Sequence, residues 1–162
     1  MIFVERKLKK FKLPNGKKLV IHTNVLESFS SFRQLLDIDL ENGGLLLGYQ
    51  NRHNDSIIID DLTLPQAKDT KTPISFLLKD KRHFEKIRKS KRKGSFFLGS
   101  WHTHPQDFVN PSHIDISDWD DSIKKEKAAA DFMIFIIVGR KEIGVWVANK
   151  NQKLLRILEE NN

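Results

Sequence analysis

Two histidines one residue apart, in His102-Thr103-His104-Pro105, are followed by Ser112 and Asp115. The pattern is His-x-His, a seven-residue gap, serine, two residues and aspartate. Two imidazoles and a carboxylate make a complete protein ligand set for a catalytic zinc, which takes three and keeps a fourth position open. The spacing predicts one zinc per chain on His102, His104 and Asp115. Ser95–Trp101 reads as a strand, so histidines two apart at its end would share a face. The segment Pro105–Pro111 must then fold back to deliver Asp115. Ser112, between the ligands, can donate a hydrogen bond to an oxyanion. The competing account has the histidines bonded to backbone and Ser112 capping the next helix; for the serine, both roles are compatible.

Other metallohydrolase patterns are absent. There is no His-Glu-x-x-His, and a nucleobase deaminase would need cysteine ligands. The chain has no cysteine, so disulfides and thiolate sites are excluded. Asp107, Asp118, Asp120 and Asp121 lie close to the motif and read as helix-start or loop carboxylates rather than ligands. His113 has the wrong spacing. His22, His53 and His83 are isolated and read as surface residues.

These residues carry a resemblance. Gly99-Ser100-Trp101-His102-Thr103-His104-Pro105, with Ser112 and Asp115, is similar to the signature of the JAMM metalloproteases, also called JAB or MPN+. That family carries an upstream glutamate before a glycine-rich strand, and Glu41-Asn42-Gly43-Gly44-Leu45-Leu46-Leu47-Gly48 matches it. The resemblance implies that Glu41 is the catalytic proton acceptor beside a Zn2+ ion. It also implies a substrate: the bond after the C-terminus of a ubiquitin-like modifier or conjugated protein. The wording of Gly99–Pro105 looks most like the peptidases of CBASS anti-phage operons, which act on a conjugated nucleotidyltransferase (CD-NTase). The alternatives are a JAB peptidase that trims sulfur-carrier proteins, a RadC-like DNA-associated protein and a catalytically dead scaffold. The intact set of Glu41, His102, His104 and Asp115 argues against the last.

Composition sets the frame for these residues. The chain has 162 residues, 39% hydrophobic and 30% charged, as expected of one soluble domain spanning 1–162. No early apolar segment suggests a signal peptide and no run is long enough for a membrane span, so the expected location is the cytoplasm. The net charge is +7, from 28 basic and 21 acidic residues. Basic residues concentrate near the start, from Arg6 to Lys18, and in Lys79–Lys93. Such clusters suit an acidic partner surface or, as the lesser reading, nucleic acid. The plain interpretation is a solvated helix face and a basic edge strand.

The elements follow from pattern. Pro14-Asn15-Gly16 should turn a hairpin between Phe3–Leu13 and Lys18–Thr23. Asn24 should cap a helix presenting Val25, Phe29, Phe32, Leu35 and Leu36. Gly43–Tyr49, Ser56–Leu64 and Ile74–Leu78 read as strands. Asp80 should cap a basic helix over Lys81–Lys93, whose thin apolar side is Phe84 and Ile87 and which stops at Gly94. A helix through Trp119 and Ile123 follows the motif. Phe132–Val138 is apolar throughout and should be a central strand buried on both faces. Ile143–Ala148 and Lys153–Leu158 complete the sheet. The fold class is α/β, a mixed central sheet sandwiched by about three helices. The family resemblance implies the same layout.

Overall fold

A computed structural model describes residues 8–161. Ten strands and three helices follow one another along the described chain. β1 (Lys9–Lys12) and β2 (Lys18–Ile21) form the expected hairpin, and its predicted extension over Phe3–Lys7 lies outside the described residues. α1 (Thr23–Ser31) precedes β3 (Gly43–Asn51) and β4 (Ser56–Leu62). A small hairpin, β5 (Thr70–Thr72) with β6 (Ser75–Leu77), leads to α2 (Arg82–Lys91). β7 (Phe96–Thr103), α3 (His113–Lys125), β8 (Met133–Val138), β9 (Ile143–Ala148) and β10 (Leu155–Ile157) complete the order.

Eight strands form one mixed sheet in the order β1-β2-β4-β3-β7-β8-β9-β10. The pairs β2–β4 and β7–β8 are parallel and the others antiparallel. Its two ends meet. Phe11 pairs with Glu159, Lys12 N donates to Leu158 O at 3.1 Å, and Glu160 N donates to Lys10 O at 2.8 Å. The basic β1 is therefore not the open edge that its charge suggested. Residues 158–160 cover it, and Lys9 pairs with Glu159 at 3.1 Å.

Alternation of side chains divides the interior. All eight strands and α1 contribute to one apolar cluster, including Leu46, Leu98, Trp101, Ile134 and Val145. The opposite face of β8 and β9, with α3, forms a second cluster of Val109, Trp119, Met133, Phe135, Ile137 and Trp146. β8 is buried on both faces, as its unbroken apolar sequence predicts. The mixed sheet with helices on both sides matches the expected α/β class.

Three local expectations need correction. α1 stops at Ser31, and Leu35 and Leu36 are 56% and 59% exposed. Their N–H groups donate to Asp39 Oδ2 at 3.1 and 2.9 Å, so a carboxylate-bonded turn replaces the helix. Asn24 is not the cap. It lies in the first turn, and its amide donates to Asp60 O at 2.9 Å. In α2 the buried residues are His83 and Ser90, while Phe84 stays exposed and Ile87 is half-buried. Asp80 does bond that helix start, accepting Arg82 N–H at 3.0 Å, and Gly94 takes a left-handed φ of 78° beyond its end.

A bulge controls how β7 reaches the site. Leu46 faces Gly99 but Leu47 faces Phe97, leaving Leu98 as the extra residue. Gly99 has φ 156°, and a Cβ there would lie 1.7 Å from Ile134 O. Gly44 similarly admits the backbone of Thr63, whose O would lie 2.1 Å from a Cβ. Gly99→Ala is expected to destabilise the protein by at least about 2 kcal/mol, through clash and a disfavoured φ. Urea denaturation monitored by tryptophan fluorescence measures this directly.

Candidate metal centre

Beyond the bulge, β7 sends Trp101 to one face and His102 to the other. Trp101 packs on Phe29, with ring centroids 5.2 Å apart, and its Nε1–H donates to Thr63 O at 3.0 Å. His102 lies on the α3 face, 6.1 Å from the Trp119 ring. His104, two residues on, shares that face, and its N–H donates to Val138 O at 3.0 Å. His102 is thus held within a strand paired on both sides, and His104 by a backbone bond to the end of β8.

Asp115 arrives through helix capping. Ser112 Oγ accepts Asp115 N–H at 3.0 Å, and Asp115 Oδ2 accepts Ser112 N–H at 2.8 Å. This reciprocal box satisfies donors that the helix start would leave unpaired. The same carboxylate faces both histidines. Asp115 Oδ1 is 3.1 Å from His102 Nε2, and Oδ2 is 3.1 Å from His104 Nε2. His102 Nε2 and His104 Nε2 are themselves 3.1 Å apart. Glu41 is buried, and its Oε1 stands farther away, 3.9 Å from His102 Nε2. One ligand atom from each of Glu41, His102, His104 and Asp115 lies within 4.8 Å of the others.

The chemistry of this group fits a cation. Gln106 Oε1 accepts Asn110 N–H at 3.1 Å, which identifies that atom as the oxygen. It lies 3.1 Å from His104 Nδ1, so Nδ1 carries a proton and donates to it. A neutral His104 therefore turns the lone pair of Nε2 towards Asp115 and His102. Lone pairs facing at 3.1 Å need a proton or a metal ion between them. Tetrahedral ligands at zinc distances are separated by about 3.3 Å, close to the spacing found.

The same contacts shift the ionisable groups. Burial pushes the Glu41 carboxyl up to about 8, with His104 opposing and Asp115 reinforcing that shift. Burial also works against ionised Asp115, but His102, His104 and Ser112 N–H hold it well below the usual carboxylate range. For His104, burial lowers the pKa, and contacts with Asp115 and Gln106 more than reverse this.

The spare residues fall elsewhere. Asp107 pairs with Arg140 at 3.0 Å and Asp120 with Lys124 at 3.0 Å, while Asp118 and Asp121 line the neighbouring cleft. His113 is exposed at the start of α3, His53 is exposed and His22 half-buried. His83, expected at the surface, is fully buried against Asp69 and Thr63. Beside Glu41, His102 and Asp115 opens a cleft of about 690 Å³, walled by β6, α2 and α3 and floored by Leu45 and Phe97.

The fold and site define a class. A family model described as prokaryotic homologs of the JAB domain matches residues 26–152, and the chain belongs to that family. Among curated relatives, an Escherichia coli (strain TW11681) protein named CD-NTase/cGAS isopeptidase is 32% identical over 145 residues, 88% of either chain. A Pseudomonas aeruginosa protein of the same name is 34% identical over 132 residues, covering 80% of this chain and 82% of its own. The expected likeness to deconjugating peptidases is borne out. The solution structure of a Desulfitobacterium hafniense protein, 20% identical, superposes with a TM-score of 0.53 over 83% of this chain and 84% of its own. That likeness concerns the fold alone.

Gln106 escaped the sequence reading. A polar residue two positions after the second histidine was the available signal, but only the Asn110 contact gives it meaning. Metal-binding histidines are commonly oriented through the ring nitrogen that faces away from the metal. Gln106→Ala should weaken zinc binding about tenfold to a hundredfold while leaving the fold intact. Competition against a chromophoric chelator measures that change, and circular dichroism checks the fold.

Proposed function

We propose that this chain is a zinc-dependent isopeptidase that cleaves immediately after the C-terminus of a ubiquitin-like modifier, or of a nucleotidyltransferase conjugated to a target, within a CBASS anti-phage system. The observation carrying the reading is the convergence of His102, His104 and Asp115 beside a buried Glu41 at the head of an apolar cleft. The names of the relatives supply the substrate class.

His102, His104 and Asp115 would hold the zinc, with their donor atoms already converging. When bound, zinc supplies Lewis acidity towards water and the scissile carbonyl. Glu41 Oε accepts a proton from the attacking water and returns it to the leaving amine nitrogen. Burial raises the Glu41 carboxyl to about 8, and a bound cation beside it would favour the carboxylate form that accepts the water proton. Ser112 Oγ is engaged as acceptor by Asp115 N–H, so its own proton remains for the carbonyl oxygen as negative charge develops.

The cleft suits an extended tail. β6 forms one wall, and among the described residues its strand partner is β5 alone. A tail can bond that edge by strand addition, with side chains meeting Leu45, Phe97 and Trp119. α2 meets the cleft through Phe84 and Ile87, while Arg82, Lys86 and Lys89 line a separate surface pocket; these basic residues would complement an acidic partner surface, an attraction that salt weakens.

The test is a reporter fused to the C-terminus of the cognate nucleotidyltransferase or modifier, incubated with zinc-loaded protein. Cleavage is expected at the junction. Glu41→Gln should keep its zinc and lose at least about a hundredfold in rate. Ser112→Ala should lose about a hundredfold. His104→Ala should bind less zinc by elemental analysis, and equal zinc content would remove it from the ligand set. An inert parent protein with tight, salt-dependent DNA binding would replace this reading with the nucleic-acid one.

A further inference from the structure

The chain leaves the sheet after β4 and returns through α2, and between them the β5–β6 hairpin stands over the cleft. The hairpin is short and half-exposed, and Ile74 at its turn is 86% exposed. It has little core of its own. One buried carboxylate ties its base together. Asp69 Oδ1 accepts Lys79 N–H at 2.9 Å and Asp80 N–H at 3.0 Å, and Oδ2 accepts Gln66 N–H at 2.8 Å. The two ends of the excursion are thereby joined through a side chain with no solvent exposure.

The clasp continues to the sheet through His83. Its Nε2 lies 2.7 Å from Asp69 Oδ2, and its Nδ1 lies 2.6 Å from Thr63 Oγ1. Thr63 Oγ1 accepts Leu45 N–H at 2.7 Å, leaving its proton for His83 Nδ1. His83 then donates from Nε2 to Asp69, and every member of the chain is satisfied. Burial pushes the Asp69 carboxyl up, but its donors outweigh that effect and hold it below the usual range. Thr63 itself is built into the site's floor, since its carbonyl accepts Trp101 Nε1–H and its N–H donates to Leu45 O.

At the other end, Thr72 O accepts Glu41 N–H at 2.8 Å, and the Phe76 ring packs against Gly43. Glu41 also has anchors independent of the hairpin. The adjacent Asn42 N–H donates to Thr103 Oγ1 at 2.9 Å, and Thr103 N–H donates to Asn42 O at 2.9 Å. The histidines and Asp115 sit on β7, its following loop and α3 and do not touch the clasp.

We propose that Asp69, His83 and Thr63 are positioning residues for substrate: a buried clasp that fixes β5–β6 at the height where Ile74, Phe76 and Leu77 wall the tail cleft. The substrate in this statement rests on the peptidase reading; the clasp itself does not. Loosening it costs binding of the tail before it costs chemistry, because Glu41 and the metal group keep their own supports.

Hydrogen exchange on the full chain tests the clasp without substrate. His83→Ala and Asp69→Asn should each speed exchange across Thr70–Leu77 at least about tenfold, with β8 and β9 at parental protection and zinc content unchanged. With the reporter fusion, KM should rise about tenfold or more while kcat stays within about twofold. Thr63→Ser keeps the hydroxyl and should behave as the parent in both measurements. Unchanged hairpin exchange in both variants overturns the proposal. So does exchange that rises equally in β8 and β9, a fall in kcat at constant KM, or failure of both variants to fold. If the parent leaves the reporter intact, the peptidase reading fails alone and exchange at the hairpin still decides the clasp.

Discussion

Electron-rich atoms do not crowd together in a protein interior unless something compensates them. Here two imidazole nitrogens and the oxygens of two carboxylates gather within a few ångströms on the α3 face of the sheet. The Gln106 contact leaves His104 with a lone pair directed into that crowd, so a proton or a cation is required to hold it. Much of the surrounding architecture resists the resulting repulsion. β7 is flanked on both sides in the sheet, the Ser112–Asp115 box fixes the carboxylate as it fixes the helix, and Arg140 and Glu142 pin the intervening loop through Asp107 and Val109.

Asp115 shows how closely fold and chemistry are joined. Its carboxylate completes the capping of α3 and presents oxygen to both histidines. An asparagine could keep part of the cap but would present a neutral oxygen. An alanine would remove both roles. The cap expected of Ser112 is present, and the same reciprocal box holds the Asp115 carboxylate towards the histidines.

Legibility in the sequence followed the range of the interactions. His102, His104, Ser112 and Asp115 lie within fourteen residues, so spacing alone placed them together. Phe132–Val138 announced a doubly buried strand because no polar residue interrupts it. The α1 reading failed because Leu35 and Leu36 continue a helical apolar spacing, while the Asp39 carboxylate decides the turn from outside the pattern. His83 looked isolated since its partners, Asp69 and Thr63, stand fourteen and twenty residues upstream. β5 is three residues long and polar, too short for any periodicity. Only the family resemblance placed Glu41 in the site. Its burial and its 3.9 Å approach to His102 depend on the β3–β7 register, which no local pattern encodes.

The meeting of β1 with residues 158–160 turns the sheet into a ring with a seam. Its partners are among the most distant along the chain, Lys9 and Glu159 standing 150 positions apart, so no local sequence brings them together. Few bonds cross it, and such a junction is where local opening of a fold begins. Counting round the ring, the pair diametrically opposite the seam is β3–β7, the pair that bears Glu41 at its entrance and His102 within it. Three strands separate that pair from the seam on either side, so opening at the seam breaks no pairing that holds Glu41 or His102.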